Sequence, residues 1–286
     1  MTKLDQFESA FRAAIKPLFH YRELHFKRIL IITDLRESEA QSFVEQIKRF
    51  ANVIHLDRSV EWLFLYGGDF DTTQILLDKI KQLNVDLIFT YRNLHSNAWK
   101  YPHSLGEYLD VMIQLIHIPI VVLPNPKAGY ADAHALKDTN VVMAMTNHLA
   151  GNQDLINYAV RFVEEDGKLI LVHIENADTF DYYMSAISKI AGIETTEAKT
   201  KIAQQLLKEP SQYITSIRES LIPKYANLTI EEIVKFGHQL TEYRDQINHH
   251  KVDLLVLDSQ DPQQAAMYSM AYPLAIEFRH IPLMLI

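Results

Sequence analysis

No cysteine occurs in the chain, which excludes disulfides, thiolate nucleophiles and cysteine-ligated zinc and fits a reducing compartment. Glycine is scarce as well: 8 in 286 residues is under half the usual ~7%. Loops that cradle phosphates need glycine where the backbone closes on the anion, so that chemistry has little material here. No apolar run approaches the ~18 residues of a membrane span, and the opening MTKLDQFESAFRAAIK lacks the uninterrupted apolar core of a secretory signal. The expected setting is cytoplasmic, with no membrane contact. Basic residues are outnumbered 28 to 36, and a net charge of −8 opposes a broad nucleic-acid surface. The Gly-x-Ser-x-Gly elbow, the Walker loop and HExxH are all missing. No catalytic residue is therefore assigned, and the chain is not expected to be an enzyme.

What is present is a repeat. Residues 85–91 read VDLIFTY and residues 252–258 read VDLLVLD, and each copy is followed by His-Ile-Pro, at His117 and His280. Upstream, KRILIITDL (27–35) lines up with TNVVMAMTNH (139–148), and VIHLD (53–57) with LVHIE (171–175). Four landmarks in one order imply two related domains, each large enough to bury a core. The boundaries read as 1–126 for the first domain, 127–139 for a linker reading KAGYADAHALKDT, and 140–286 for the second.

The periodicities alternate. In the first half, Leu4, Phe7, Phe11, Ala14, Ile15 and Leu18 predict a packing helix over 3–19, ahead of the domain proper. ILIIT (29–33) is an apolar strand of the kind buried on both faces of a parallel sheet. Ser38 with Gln41 suggests a capping box for a helix carrying Phe43 and Ile47. Strands are then expected at 52–56, 62–66, 85–90 and 119–123, with helices bearing Leu76 and Ile80, and Leu109 and Ile113. The second half repeats the order, with a helix over 152–164 capped by Asn152 and strands at 141–146, 169–174, 230–236, 252–257 and LMLI at the end. About fifty residues of mostly helical text, 177–226, intervene in that half alone, with a break expected near Pro210. Alternating strands and helices predict an α/β class: two tandem doubly wound domains, each a five-stranded parallel sheet covered on both faces, in flavodoxin-like order or a near relative.

These landmarks resemble the universal stress protein family in its tandem form. The matching residues are Asp34, His55, Gly68-Asp69, Val85-Asp86-Leu87 and Pro119-Ile120-Val121 in the first half. In the second they are Asn147 in place of the aspartate, then His173, Gly237, Val252-Asp253-Leu254 and Pro282-Leu283. The resemblance implies the adenine nucleotide alpha hydrolase-like fold and a role in stress response. Nucleotide-binding members carry Gly-x2-Gly-x9-Gly-Ser/Thr after the fourth strand, with phosphates on backbone N–H groups. Here the first two glycine positions fall on Tyr91 and Leu94, and only Gly106, displaced and followed by Glu107, stands for the third. In the second half they fall on Asp258 and Asp261. Side chains and acidic charge at those places predict degenerate ATP loops, so no cofactor is expected. A first-half site for ATP or AMP is the alternative. It would be built from Asp34, which matches the family's adenine-side aspartate, and Tyr91, Arg92, His103, Ser104 and Gly106, with His95 and Lys100 nearby.

Thirteen histidines raise the question of metal, but adjacent His249 and His250 point different ways on a helix and read as solvated helix-end residues, so no metal site is assigned. His55 and His173 read as structural strand-end histidines. Ile202, Leu206, Leu207, Tyr213, Ile214, Ile217 and Leu221 give the 177–226 insertion one apolar face, either packed on its own sheet or used as a docking arm for a protein partner. IPIVVL and IPLMLI are apolar edge strands expected to pair with each other as an internal pseudo-dimer, and a homodimer of whole chains is allowed. The function expected is stress-related protein or small-ligand binding. The runner-up is an adenine-nucleotide-binding switch that uses the first half only.

Overall fold

The computed structural model describes residues 18–101, 103–132, 134–145, 149–190, 195–259 and 271–286. Its strands and helices, in chain order, are β1 (Arg28–Ile32), α1 (Glu37–Phe50), β2 (Glu61–Leu65), α2 (Thr73–Leu83), β3 (Leu87–Tyr91), α3 (Glu107–Leu115) and β4 (Ile120–Leu123) in the first half. The second half gives β5 (Val141–Met145), α4 (Gln153–Arg161), β6 (Lys168–Asn176), α5 (Ala177–Ile187), α6 (Thr195–Leu221), β7 (Thr229–Gly237), α7 (Gln239–His250), β8 (Leu254–Leu257), α8 (Ala271–Glu277) and β9 (Leu283–Leu285). All nine strands join one sheet in the order β2-β1-β3-β4-β9-β8-β5-β6-β7. Neighbours run parallel except β4 and β9, which pair antiparallel with Val121 opposite Met284. The α/β class with a mostly parallel sheet follows from the alternating pattern, and the central strands are buried without interruption because helices cover both faces.

The recurring VDL sequence has a structural use. Asp86 Oδ2 accepts from the N–H groups of Lys27 and Arg28 at the start of β1, at 2.6 and 2.9 Å. Asp253 Oδ2 does the same for Val141 at the start of β5, at 2.8 Å. The Pro119 carbonyl accepts from Ile88 N–H, and the Pro282 carbonyl from Leu255 N–H. Each aspartate thus closes the open end of the strand beside it, and each His-Ile-Pro lays the following strand against β3 or β8.

Several expectations need correction. The first half contributes four strands, not five. Residues 52–56 do not form a strand: Ala51–Ile54 is a 3-10 turn that ends with His55 in the left-handed region at φ 39°. Four apolar or small residues after a helix bury equally well in a tight turn, and β2 takes the place beside β1 instead. His55 is therefore an exposed turn residue, whereas His173 lies buried in β6 with Nε2 2.9 Å from Glu175 Oε1. Ser38 lies inside the first turn of α1, whose N-cap is Arg36 with no side-chain hydrogen bond. Asn152 does cap α4, its Oδ1 accepting from Leu155 N–H at 3.1 Å. Helix α6 runs through Pro210 without a break. Proline removes one hydrogen bond from the ladder, and burial of Tyr213, Ile214, Ile217 and Leu221 just beyond it holds the helix on the sheet.

The helix expected over 3–19 lies outside the described residues except for Leu18 and Phe19, which are irregular. The strap from residue 18 to 26 crosses to helices of the second half. Phe19 N–H donates to Ser216 Oγ at 3.0 Å, Tyr21 and Tyr225 share a 2.7 Å hydroxyl contact, and Arg22 N–H donates to Asn157 Oδ1 at 2.9 Å. The Phe19 ring meets Tyr213 edge-on. Among the described residues, no helix is long and apolar enough to cross a membrane.

Candidate functional site

In an open α/β sheet the natural ligand crevice lies beyond the carboxyl ends of two adjacent strands whose connections leave in opposite directions. In the first half that place lies between β1 and β3. Four side chains meet there, those of Tyr91, Asp34, Thr33 and Lys127. Tyr91, at the end of β3 and fully buried, donates its hydroxyl hydrogen to Asp34 Oδ1. The Tyr91 hydroxyl oxygen in turn accepts from the Asp34 N–H at 3.1 Å and lies 2.7 Å from Thr33 Oγ1. Because the phenol has one hydrogen and gives it to Asp34, Thr33 is the donor of that third contact. Lys127, from the segment after β4, adds its Nζ 2.9 Å from both Asp34 oxygens, and His95 N–H donates to Oδ2 at 3.0 Å. The Asp34 side chain is left 6% exposed.

The electrostatics follow from these contacts. Burial works against an ionised Asp34, but the hydrogen bonds from Tyr91 and Lys127, the lysine's charge and the His95 N–H together hold the carboxyl below the usual carboxylate range. Burial first, and then the Asp34 contact, push the Tyr91 phenol up, so it stays a donor throughout the physiological range.

The loop from Tyr91 to Gly106 is closed on itself. Asn93 N–H donates to Leu105 O at 2.7 Å, Ser96 N–H to Asn93 O at 3.2 Å, and His95 N–H to Asp34. The backbone N–H groups of Asn93, His95 and Ser96 are thus committed within the chain. Gly106 sits at the N-cap of α3 with φ 94°, and a Cβ there would come 2.7 Å from the Asn93 Cα. Its glycine is explained by the closed neck of the loop rather than by an anion. Ser104 serves the same neck, with Oγ 3.4 Å from Asn93 Oδ1.

The remaining expected site residues part company. Arg92 is buried and turns away from the crevice, giving its guanidinium to the carbonyls of Ile276 and Phe278 at 3.3 Å each. Burial pulls it down to about 10, which leaves it a cation at neutral pH, tied to the end of α8. His103 is exposed and stacks on Tyr101. Asp34 and Tyr91 come together directly and Ser104 and Gly106 meet Asn93 in the loop that follows, while Arg92 and His103 do not join them. Two participants were missed: Lys127, and Asn125, whose Nδ2 holds the Arg92 carbonyl at 3.0 Å and whose Oδ1 accepts from Lys127 N–H at 2.9 Å. Neither carried a local signal, since Lys127 reaches Asp34 across 93 positions and Asn125 reaches Arg92 across 33.

In the second half the equivalent place lies between β5 and β8. Asp258 Oδ2 accepts from Asn152 Nδ2 at 2.6 Å, so a carboxylate of the chain itself stands beside the first turn of α4. Ser259 N–H and Oγ both bond the Ile286 carbonyl at 2.9 Å. Asn147 and Asp261 lie outside the described residues. His249 and His250 end α7 with their rings edge to face, and no cluster suited to a metal ion occurs among the described residues.

No protein-family model matches the chain, and no curated protein does. Solved structures do. A putative universal stress protein from Pseudomonas aeruginosa UCBPP-PA14 superposes over 91% of this chain and 93% of its own, with a TM-score of 0.50 and 8% identity. A functionally unknown protein from Pseudomonas aeruginosa PAO1 gives 0.49 at 9% identity over 91% and 92% of the two chains. A universal stress protein from Archaeoglobus fulgidus DSM 4304 gives 0.47 at 9% identity over 90% and 95%. At such identities the likeness is one of fold: the chain has the α/β architecture of the first of these structures, over almost its full length.

Proposed function

We propose that the chain is a tandem, universal-stress-protein-like module that acts by binding protein or small-molecule partners in a stress response, without turnover and without seating ATP. The observation that carries this reading is the lock of Tyr91, Asp34 and Lys127 across the first crevice. A triphosphate would have to displace an ion pair, unfasten the Asn93 neck and accept a tyrosine where backbone must approach. Asp258 supports the same reading for the second crevice, because a carboxylate beside a helix N-terminus repels the anion that such a terminus would otherwise attract. The tandem reading is supported by the paired duties of Asp86 and Asp253 and by the antiparallel meeting of β4 and β9, which is what a two-fold relation between the halves would produce.

A second reading, an adenine-nucleotide switch confined to the first half, is favoured by one feature. A cleft of about 390 Å³ opens beside the lock, with Leu35, Phe43 and Leu136 on its apolar wall and Glu39, Gln46 and Lys127 at its rim. Lys127 is 38% exposed and has room to turn outward, which would free Asp34.

Acid extraction of the purified protein followed by anion-exchange chromatography tests the first reading against the second. The lock predicts no adenine nucleotide in the extract. A stoichiometric amount of ATP or AMP, lost in Asp34→Ala, would support the switch instead.

A further inference from the structure

The sheet ends on β7, a nine-residue strand with one neighbour. Thr229 N–H donates to Gly167 O at 3.0 Å, toward β6. In a parallel ladder the N–H and C=O of one residue point the same way and successive residues alternate. Thr229, Glu231, Ile233, Lys235 and Gly237 are therefore spent on β6, and the backbone groups of Ile230, Glu232, Val234 and Phe236 point outward. Among the described strands none pairs with that side. An edge of this length is a template for another strand.

The side chains along it say which strand fits. Laid antiparallel against itself about a two-fold axis through Ile233, β7 places Ile230 opposite Phe236 and Glu232 opposite Val234, so that all four outward residues find partners. The same register sets Glu231 against Lys235 of the second copy, twice, and Ile233 against itself. Moving the axis to Glu232 puts two glutamates face to face and leaves Phe236 unpaired; moving it to Val234 leaves Ile230 unpaired and sets Lys235 against Ile233. Charges in mid-edge normally discourage pairing with other chains. Here they accept one inverted copy of the same sequence and reject strands of another pattern. Glu231 and Lys235 lie on the α7 side, where Lys168 and Glu242 hold them, and both side chains remain a third or more exposed.

We propose that two copies of this chain pair through β7, antiparallel and centred on Ile233, and carry the sheet across both molecules as an isologous dimer. The partner is a second copy, selected by the Glu231–Lys235 crossing.

Sedimentation velocity on the full chain across the micromolar range tests this, with circular dichroism as the check on folding. The wild type should sediment at twice 33.1 kDa. Val234→Pro removes an outward N–H and leaves the β6 bonds alone, so it should give a folded monomer. Lys235→Glu and Glu231→Lys should each weaken self-association by at least about tenfold. Mixed in equal amounts they should form a heterodimer, because both crossings then join opposite charges. A wild type that stays monomeric, a dimer that survives Val234→Pro, or a mixture no better associated than its parts would each overturn the proposal.

Discussion

Tyr91 and Asp34 are joined hydroxyl to carboxylate across the ends of β3 and β1, at the point of the first half where the strand order reverses. The phenol serves three partners at once: Thr33, the Asp34 N–H and the Asp34 carboxylate. Tyr91→Phe keeps the ring against Phe43 and strips all three of a partner. The expected loss is about 1–3 kcal/mol, the cost of leaving buried polar groups unsatisfied, read by urea denaturation. An unchanged midpoint would mean that the hydroxyl does no structural duty.

Gly67 lies where the turn after β2 crosses the Asp34 backbone. A Cβ there would stand 2.4 Å from the Asp34 carbonyl oxygen, closer than real contacts allow, and the obstacle is backbone. Gly67→Ala should therefore destabilise the fold by more than about 1 kcal/mol and displace Asp34 from Tyr91. A melt combined with the tyrosine NMR signals checks both effects. Gly68→Ala, where nothing lies within 4 Å, is the control.

Phe19 belongs by sequence to the first half and is buried against the second, beside Tyr213. Phe19→Ala should cost about 3–5 kcal/mol, as for other buried phenylalanines. If the strap ties the halves together, unfolding should also broaden or split into two steps. A single transition with an unchanged midpoint would show the strap to be ornamental.

The sequence carried the fold well where one residue type decides local structure. ILIIT and the two VDL runs could only be buried strands, and Asn152 could be recognised as a cap because its side chain bonds three residues ahead. It failed where two structures satisfy the same pattern. ANVI buries equally as a strand or a 3-10 turn, and the edge strand EWLFL, half-solvated, competes with it for the place beside β1. Of the site, Asp34 and Tyr91 could be picked out one at a time from their places after strands. Lys127 could not, since its contact with Asp34 spans 93 positions and depends on where β4 delivers the chain. Arg92 looked available for phosphate because nothing in the sequence places the carbonyls of Ile276 and Phe278 beside it.

His280 and His250 give the chain a pH dependence. Burial pulls His280 below its ordinary value of 6.5, with the charges of Arg92, His134 and Arg279 adding to the effect and Asp132 opposing it. Burial also lowers His250, against the pull of Glu231. Between the lowered values and 6.5 the unfolded chain binds more protons than the folded one, so stability is full above 6.5 and falls as the pH drops through the folded values. Melting midpoints should decline from neutral toward mildly acidic pH, and His280→Gln should flatten that slope. A midpoint that rises on acidification over the same range would reverse the sign and refute this account.

The claim that the first crevice is locked is tested most directly by thermal melting with and without millimolar ATP and magnesium, on the wild type and on Asp34→Ala. A ligand that binds only the folded state must raise the midpoint. The lock predicts superimposable wild-type curves. A clear upward shift in the wild type that disappears in Asp34→Ala would contradict it.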